Sequence, residues 1–148
     1  MTITINNVTG IISYTQLNKS SIIPEYIDHD GTRYYIARTN TELITLLSNN
    51  SVSAKVIVTS LLTNLSYIFE DKQNFNQNIS TWDVGNVTNM QSMFLGAKSF
   101  NRNISNWDVG NVTNMNKMFK YASNFNKDLS TWDVGNVTNM QSMFLGAK

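Results

Sequence analysis

The sequence predicts an α/β solenoid, a stack of similar coils, because two observations coincide. The second half of the chain repeats itself every 25 residues, and each repeat carries one strand-like and one helix-like apolar pattern. Such a unit buries its apolar face only against its neighbours, so stacked copies share one continuous core. We therefore predict a right-handed solenoid with one short parallel strand and one short helix in each coil.

Three copies of the repeat fill residues 75–148, and we call them repeats 1, 2 and 3, beginning at residues 75, 100 and 125. Residues 80–98 are identical to residues 130–148. A fourth copy, which we call the degenerate repeat, occupies residues 50–74. An atypical first copy is typical of a capping repeat.

Each full repeat combines two apolar periods. In repeat 1, Trp82 and Val84 share one face of the predicted strand, while Asp83 lies on the other face. Apolar side chains then follow the i, i+3, i+4, i+7 spacing of a short helix. The predicted helix contains Met90, Met93, Phe94 and Ala97, with Thr88 as its N-cap and Gln91 completing a capping box.

The first half of the chain divides into two segments. Residues 1–38 predict a small β segment that attaches or orients the repeats, with alternation at residues 2–5, a partner strand at residues 11–14, and a hairpin. The hairpin signal is Asp-Gly at Asp30, between two β-rich runs. Residues 39–74 predict a cap, in which Thr39 and Glu42 open a helix ahead of the degenerate repeat.

Composition excludes several classes of function. Hydrophobic residues make up 41% of the 148 residues, which is enough for a packed core, while charged residues make up only 14%. The net charge of +1 predicts no nucleic-acid partner. Cysteine is absent and histidine occurs once, so we expect no thiolate or multi-histidine metal site, and no cofactor. No apolar run approaches the ~20 residues of a membrane-spanning helix.

The outward faces of the predicted strands form the candidate binding face. Three aspartates, one in each full repeat, are predicted to stack on this face at the ~4.8 Å strand spacing, where their like charges repel one another. A bound cation, a basic partner or a local backbone N–H must offset this repulsion. A retaining glycosidase would need two carboxylates in different environments, which a regular row does not offer. We therefore predict no catalytic residues. The candidate face consists of Thr81, Asp83, Asn106, Asp108, Thr131 and Asp133.

The three tryptophans allow two interpretations. Exposed rings would form a ladder on which sugars stack, whereas buried rings would form part of the core. Trp82 shares its predicted face with Val84, and the same holds in repeats 2 and 3. This alternation favours the core.

The repeat also resembles a known family. The run Ile-Ser-Thr-Trp-Asp-Val-Gly-Asn-Val-Thr-Asn-Met-Gln-Ser-Met-Phe, followed by Ala and Phe-Asn, resembles the 25-residue repeats of BspA-like leucine-rich-repeat surface proteins. The resemblance covers roughly residues 41–148. It implies a curved solenoid used in adhesion or recognition, and it implies no catalytic residues.

We therefore expect a non-enzymatic recognition module that binds a protein or a surface glycan. Two settings are open: a virion component, such as a phage fibre or decoration protein, and a bacterial cell-surface adhesin. The virion is preferred because no signal peptide is visible and virions assemble in the cytoplasm. Residues 1–38 would then contact other virion or surface proteins. An enzyme on a solenoid scaffold is a second class of function, but the sequence shows no clustered acidic and aromatic residues that would support it. An intracellular scaffold is a third class, which the sequence does not separate from the recognition module.

The last repeat predicts an open edge. Repeat 3 keeps the core residues Trp132, Met140 and Phe144 but carries no polar cap after them. Such an edge exposes apolar surface and unpaired backbone groups. We expect that the array is truncated and that further repeats or another chain cover this end.

Overall fold

The computed structural model describes residues 2–5, 12–15, 26–48 and 52–147. Strand β1 (Thr2–Ile5) pairs antiparallel with β2 (Ile12–Thr15), with Ile3 opposite Tyr14. The predicted pairing is confirmed. The second strand begins at Ile12, whereas the sequence placed its start at residue 11, which lies outside the described residues.

The predicted hairpin is also confirmed. Strands β3 (Tyr26–His29) and β4 (Thr32–Ile36) pair antiparallel around a two-residue turn. Asp30 and Gly31 in that turn have φ angles of 47° and 73°. Two consecutive left-handed residues match the twist of a tight hairpin, and glycine adopts this region without a Cβ clash.

The cap helix and a short strand connect this hairpin to the repeats. Helix α1 (Asn40–Ser48) begins after Thr39, whose Oγ1 accepts a hydrogen bond from the backbone N–H of Glu42 at 3.2 Å. A 3₁₀ turn (Ala54–Val56) then leads into β5 (Ile57–Val58), which pairs parallel with β4. The sheet order β3-β4-β5 therefore joins the hairpin directly to the degenerate repeat.

The predicted helix of each repeat is wrong, because consecutive turns occupy its place. Within the described part of the repeats, residues 90–97 make i to i+3 bonds: Met93 N–H donates to Met90 O, and Ala97 N–H donates to Phe94 O. Ser92 and Gly96, the third residues of these turns, have φ angles of 53° and 68°. A left-handed third residue is the requirement of a type II turn. The predicted strand is likewise absent as a regular element, since Trp82 makes only an isolated bridge and Asp83 and Val84 do not extend it.

The turns replace the helix because their N–H groups bond to the next coil. Four alternate N–H groups of repeat 1 donate to carbonyls of repeat 2 over 2.8–2.9 Å. The carbonyls that precede those N–H groups accept from the degenerate repeat in the same way. All four peptide groups therefore point in one direction along the stack, and we call this arrangement the peptide ladder. The four donors in repeat 1 are Met90, Ser92, Phe94 and Gly96.

A parallel bridge marks the same register in every coil. Asn64, Asn89, Asn114 and Asn139 pair in sequence, each with its equivalent 25 residues further on. The degenerate repeat and the three full repeats are thus stacked in register. The right-handed winding of a solenoid stays a prediction.

Columns of aromatic rings fill the centre of the stack. The Trp82 and Trp107 rings lie 6.5 Å apart at 4°, and Trp107 and Trp132 repeat this geometry. All three tryptophans are buried, with exposures of 0%, 3% and 8%. Each indole Nε1–H donates to a backbone carbonyl of the preceding coil, so its polar atom is satisfied. The core interpretation is confirmed, and the sugar-stacking interpretation of these tryptophans is wrong.

One position in the stack alternates between glycine and a larger residue. Asp71, Gly96, Tyr121 and Gly146 are equivalent, and all four have left-handed φ angles. A Cβ at Gly96 would overlap the Asp71 carboxylate, and a Cβ at Gly146 would overlap the Tyr121 ring. The larger side chain of one coil thus covers the next coil, which must carry glycine there. This constraint has a period of two repeats and agrees with the identity of residues 80–98 to residues 130–148.

Replacing Trp107 tests the central column. We expect Trp107→Ala to lower the free energy of unfolding by about 3–5 kcal/mol, because it removes a buried ring between two stacked neighbours. Trp107→Phe keeps a smaller aromatic ring and removes one of the two donors to the Ile79 carbonyl, which still accepts from Trp82 N–H, so we expect a smaller loss of about 1–3 kcal/mol. Urea unfolding followed by circular dichroism measures both. A loss below about 1 kcal/mol for the alanine variant would contradict burial of this ring.

Candidate functional site

The aspartates of the predicted binding face are bonded to their own turns. Asp83, Asp108 and Asp133 each accept a hydrogen bond on Oδ1 from the backbone N–H of the glycine two residues later, over 3.0–3.1 Å. Asp108 and Asp133 are exposed, and Asp83 is half-buried. Of the three ways to offset the stacked charge, the structure shows the hydrogen bond from a local backbone N–H. This bond stabilises the turn and partly offsets the charge. Ligand binding at this face stays a prediction.

The other three residues of that face connect adjacent coils. Thr81 Oγ1–H donates to the Lys55 carbonyl at 2.9 Å, and Asn106 Nδ2–H donates to the Ser80 carbonyl at 2.8 Å. Thr131 repeats the contact one coil further on. Thr81 is buried. These side chains therefore stabilise the stack, and the sequence pattern did not distinguish this role from display to a partner.

Neither a metal cluster nor a membrane-spanning helix is found in the described part of the chain. Within residues 2–5, 12–15, 26–48 and 52–147, no three His, Cys, Asp or Glu side chains lie close enough to hold a metal ion. No helix in the same ranges is long and apolar enough to cross a membrane.

A polar groove crosses successive coils. It is not lined by Asp83, Asp108 or Asp133, which together we call the aspartate row. Its cavity of about 420 Å³ crosses three coils. We call it the asparagine groove, because amide side chains dominate its lining and no apolar side chain contributes. The groove is lined by Asn76, Ser99, Asn101, Asn124 and Asn126.

Hydrogen bonds between coils orient the amides of this groove. The backbone N–H of Asn101 donates to Asn76 Oδ1, and that of Asn126 donates to Asn101 Oδ1, both at 3.1 Å. A backbone N–H bonds only to an acceptor, so the bonded side-chain atom of Asn76 and Asn101 is the amide oxygen Oδ1. The amide nitrogen Nδ2 of each residue is then the atom left for another partner. The 25-residue recurrence of asparagine places equivalent amides on successive coils. The pattern alone does not show which loops enclose a cavity.

One cation contacts the wall of the asparagine groove, and a second holds the equivalent sequence position on the next coil. Arg102 Nε–H donates to the Asn76 carbonyl at 2.7 Å, so its guanidinium lies against the groove wall. Lys127 holds the equivalent position one coil further on and is exposed. Neither side chain forms an ion pair with any acid in the described ranges. Asp128 follows Lys127, and a hydrogen bond from Ser130 N–H lowers the pKa of its carboxyl, which is therefore charged at neutral pH.

Two further cavities flank the cap helix. One, of about 370 Å³, lies between α1 and the degenerate repeat, and its lining includes Ile44, Leu47 and Phe75. The other, of about 280 Å³, includes Glu42. Hydrogen bonds from Arg38 lower the pKa of the Glu42 carboxyl, so Glu42 lacks the raised pKa of a general acid.

The repeats match a known protein family. A family model described as "Mycoplasma protein of unknown function, DUF285" matches residues 41–148. The chain belongs to the DUF285 family. Its matched region begins within α1 and includes the degenerate repeat and all three full repeats, whereas the hairpin lies before it. No curated protein and no solved structure matches the chain.

Two substitutions at Asp108 separate turn formation from charge in the DUF285 region. Asp108→Asn retains a side-chain oxygen that accepts from Gly110 N–H, and it removes one negative charge from the aspartate row. We therefore expect its free energy of unfolding to lie within about 0.5 kcal/mol of wild type. Asp108→Ala removes the acceptor, and we expect a loss of about 0.5–1.5 kcal/mol. Urea unfolding measures both variants. Calorimetric titration with calcium should show no binding heat; heat that Asp108→Asn abolishes would establish a cation site instead.

Proposed function

We propose that this chain is a non-enzymatic recognition module of the BspA-like leucine-rich-repeat kind, which presents a repeated polar surface to a protein or a surface glycan. The supporting observation is that polar side chains recur in register on successive coils. The asparagine row (Asn76, Asn101 and Asn126) and the aspartate row defined above each place one side chain on every full repeat. A rigid stack with a recurring surface is suited to binding an extended or multivalent partner, as other repeat proteins do.

The charged groups give the enzyme alternative less support. Among the described residues, the acids with a shifted pKa are Asp28, Glu42 and Asp128, and in each the pKa is lowered because a hydrogen-bond donor stabilises the carboxylate. General acid catalysis at neutral pH needs a carboxyl with a raised pKa. The aspartates of the repeated row instead share one kind of turn, which does not divide them into an acid and a base.

The proposal includes two settings, a virion and a bacterial cell surface. In both, the hairpin of β3 and β4 would position the module, because the β4–β5 pairing joins it to the first coil without a long linker. The hairpin carries exposed charged and aromatic side chains, including the Arg33–Asp28 pair at 2.9 Å. Detection of the chain in purified particles or in the envelope fraction distinguishes the two settings.

Array binding with the full chain tests the proposed function. We expect the labelled chain to bind saturably to at least one glycan or extracellular protein on a printed array, and unfolding the chain in urea should abolish the signal. Each bound glycan is then incubated with the chain and assayed for new reducing ends, of which we expect none. Cleavage that Asp108→Asn removes, or binding to no array ligand at all, contradicts the proposal.

We further propose that one more coil of the same kind covers the outer face of repeat 3, supplied by this polypeptide or by another. Met140 and Phe144 are 42% and 50% exposed, whereas their equivalents in repeats 1 and 2 are fully buried. The four N–H groups of the peptide ladder in repeat 3 also find no acceptor among the described residues. A coil that presents four aligned carbonyls and an apolar face complements both features.

Adding a coil tests this second proposal. We expect that appending a copy of residues 99–123 after residue 148, which keeps the 25-residue register, raises the free energy of unfolding because it buries these side chains. We also expect the original chain to self-associate in sedimentation velocity and Phe144→Glu to weaken this, with Ile44→Glu on α1 as the matched control. A monomer at high concentration, together with unchanged stability after the addition, contradicts the proposal.

A further inference from the structure

We propose that the asparagine groove is a binding site for an extended acidic polysaccharide. This inference rests on the proposed recognition function and names the site and the class of ligand. It depends on three features of the groove: a row of oriented amide donors, an adjacent guanidinium, and a lining without apolar side chains.

One oriented amide donor lies in each of repeats 1 and 2. Inter-coil bonds hold the oxygens of Asn76 and Asn101, so the Nδ2 groups of these residues remain as donors beside the cavity. No acceptor for either Nδ2 group lies within the described ranges. Stacked coils repeat at roughly 4.8 Å, which is comparable to the length of one sugar ring in an extended chain. Successive rings thus meet equivalent donors.

The charge beside the groove favours an acidic ligand. Arg102 contacts the groove wall at Asn76, and Lys127 holds the equivalent position on the next coil. Guanidinium and ammonium groups bind carboxylate and sulfate through charge-assisted hydrogen bonds. Because neither cation forms an ion pair within the described part of the chain, a ligand anion does not compete with an internal partner.

The lining distinguishes a polysaccharide from other extended polyanions. All five lining residues are asparagine or serine, whose amides and hydroxyls match sugar hydroxyls as donors and acceptors. Single-stranded nucleic acid binds through aromatic platforms, and none lines this cavity. Peptides generally place side chains in apolar pockets, which the groove lacks.

Direct binding measurements with the full chain test the inference. The probes are heparin and hyaluronan oligosaccharides, with neutral dextran and poly-L-glutamate as comparisons, in biolayer interferometry at low salt. We expect saturable binding to at least one acidic glycan, weaker at higher salt, and no binding to dextran. Asn101→Asp keeps the oxygen that accepts from Asn126 N–H but replaces the NH₂ donor with a negative charge, so stability should hold. Asn101→Asp and Arg102→Gln should each weaken binding by about tenfold or more.

A matched variant separates the groove from general electrostatics. Gln141→Glu makes the same amide-to-carboxylate change at an exposed position outside the groove and should leave the affinity unchanged. Equal losses in Asn101→Asp and Gln141→Glu overturn the site. Poly-L-glutamate that binds and competes as well as the glycans overturns the ligand class. If the chain binds array ligands other than acidic glycans, this inference fails and the proposed function stands; if it binds none, both fail.

Discussion

The structure depends on hydrogen bonds between peptide groups of neighbouring coils. In the stretch that begins at Met90, alternate N–H groups donate forward to the next coil, while the intervening carbonyls accept from the coil before. This arrangement satisfies backbone groups that a helix would satisfy internally, and satisfaction of buried backbone polar groups is close to obligatory. Left-handed residues such as Ser92 make it possible, because they turn successive peptide groups into one direction.

The ladder sets the register of the side-chain columns. Once backbones align at one-coil offsets, equivalent rings must stack, and Phe94 lies 5.4 Å from Phe119 at 6°. The indole of Trp107 then reaches a carbonyl of the previous coil, which adds a hydrogen bond to the ring packing. The same alignment leaves no room for a Cβ at Gly96, because the Asp71 side chain of the preceding repeat occupies that space. Core and surface positions are thus determined by the same alignment.

The same alignment produces both polar rows on the surface. Asp108 is held by its own turn, and its row mainly stabilises local backbone. Asn101 bonds through its oxygen to the next coil, which leaves its nitrogen beside a cavity. Two rows with similar periodicity in the sequence therefore differ in what they offer a partner. The difference lies in which atoms the stack already uses.

Sequence by itself determined the 25-residue repeat, the hairpin at Asp30 and Gly31, the cap helix and the burial of the tryptophans. These follow from local chemistry or from period alone: a two-residue turn needs left-handed residues, and alternation separates an apolar face from a polar one. Tertiary structure decided the rest. The apolar spacing at Met90 and Phe94 fits both a helix and a pair of turns, and only bonds to the neighbouring coil favour the turns. The tertiary structure also decided that Thr81 is buried between coils and that Asn101 lines a groove. A single repeat lacks the neighbouring coil that makes these contacts.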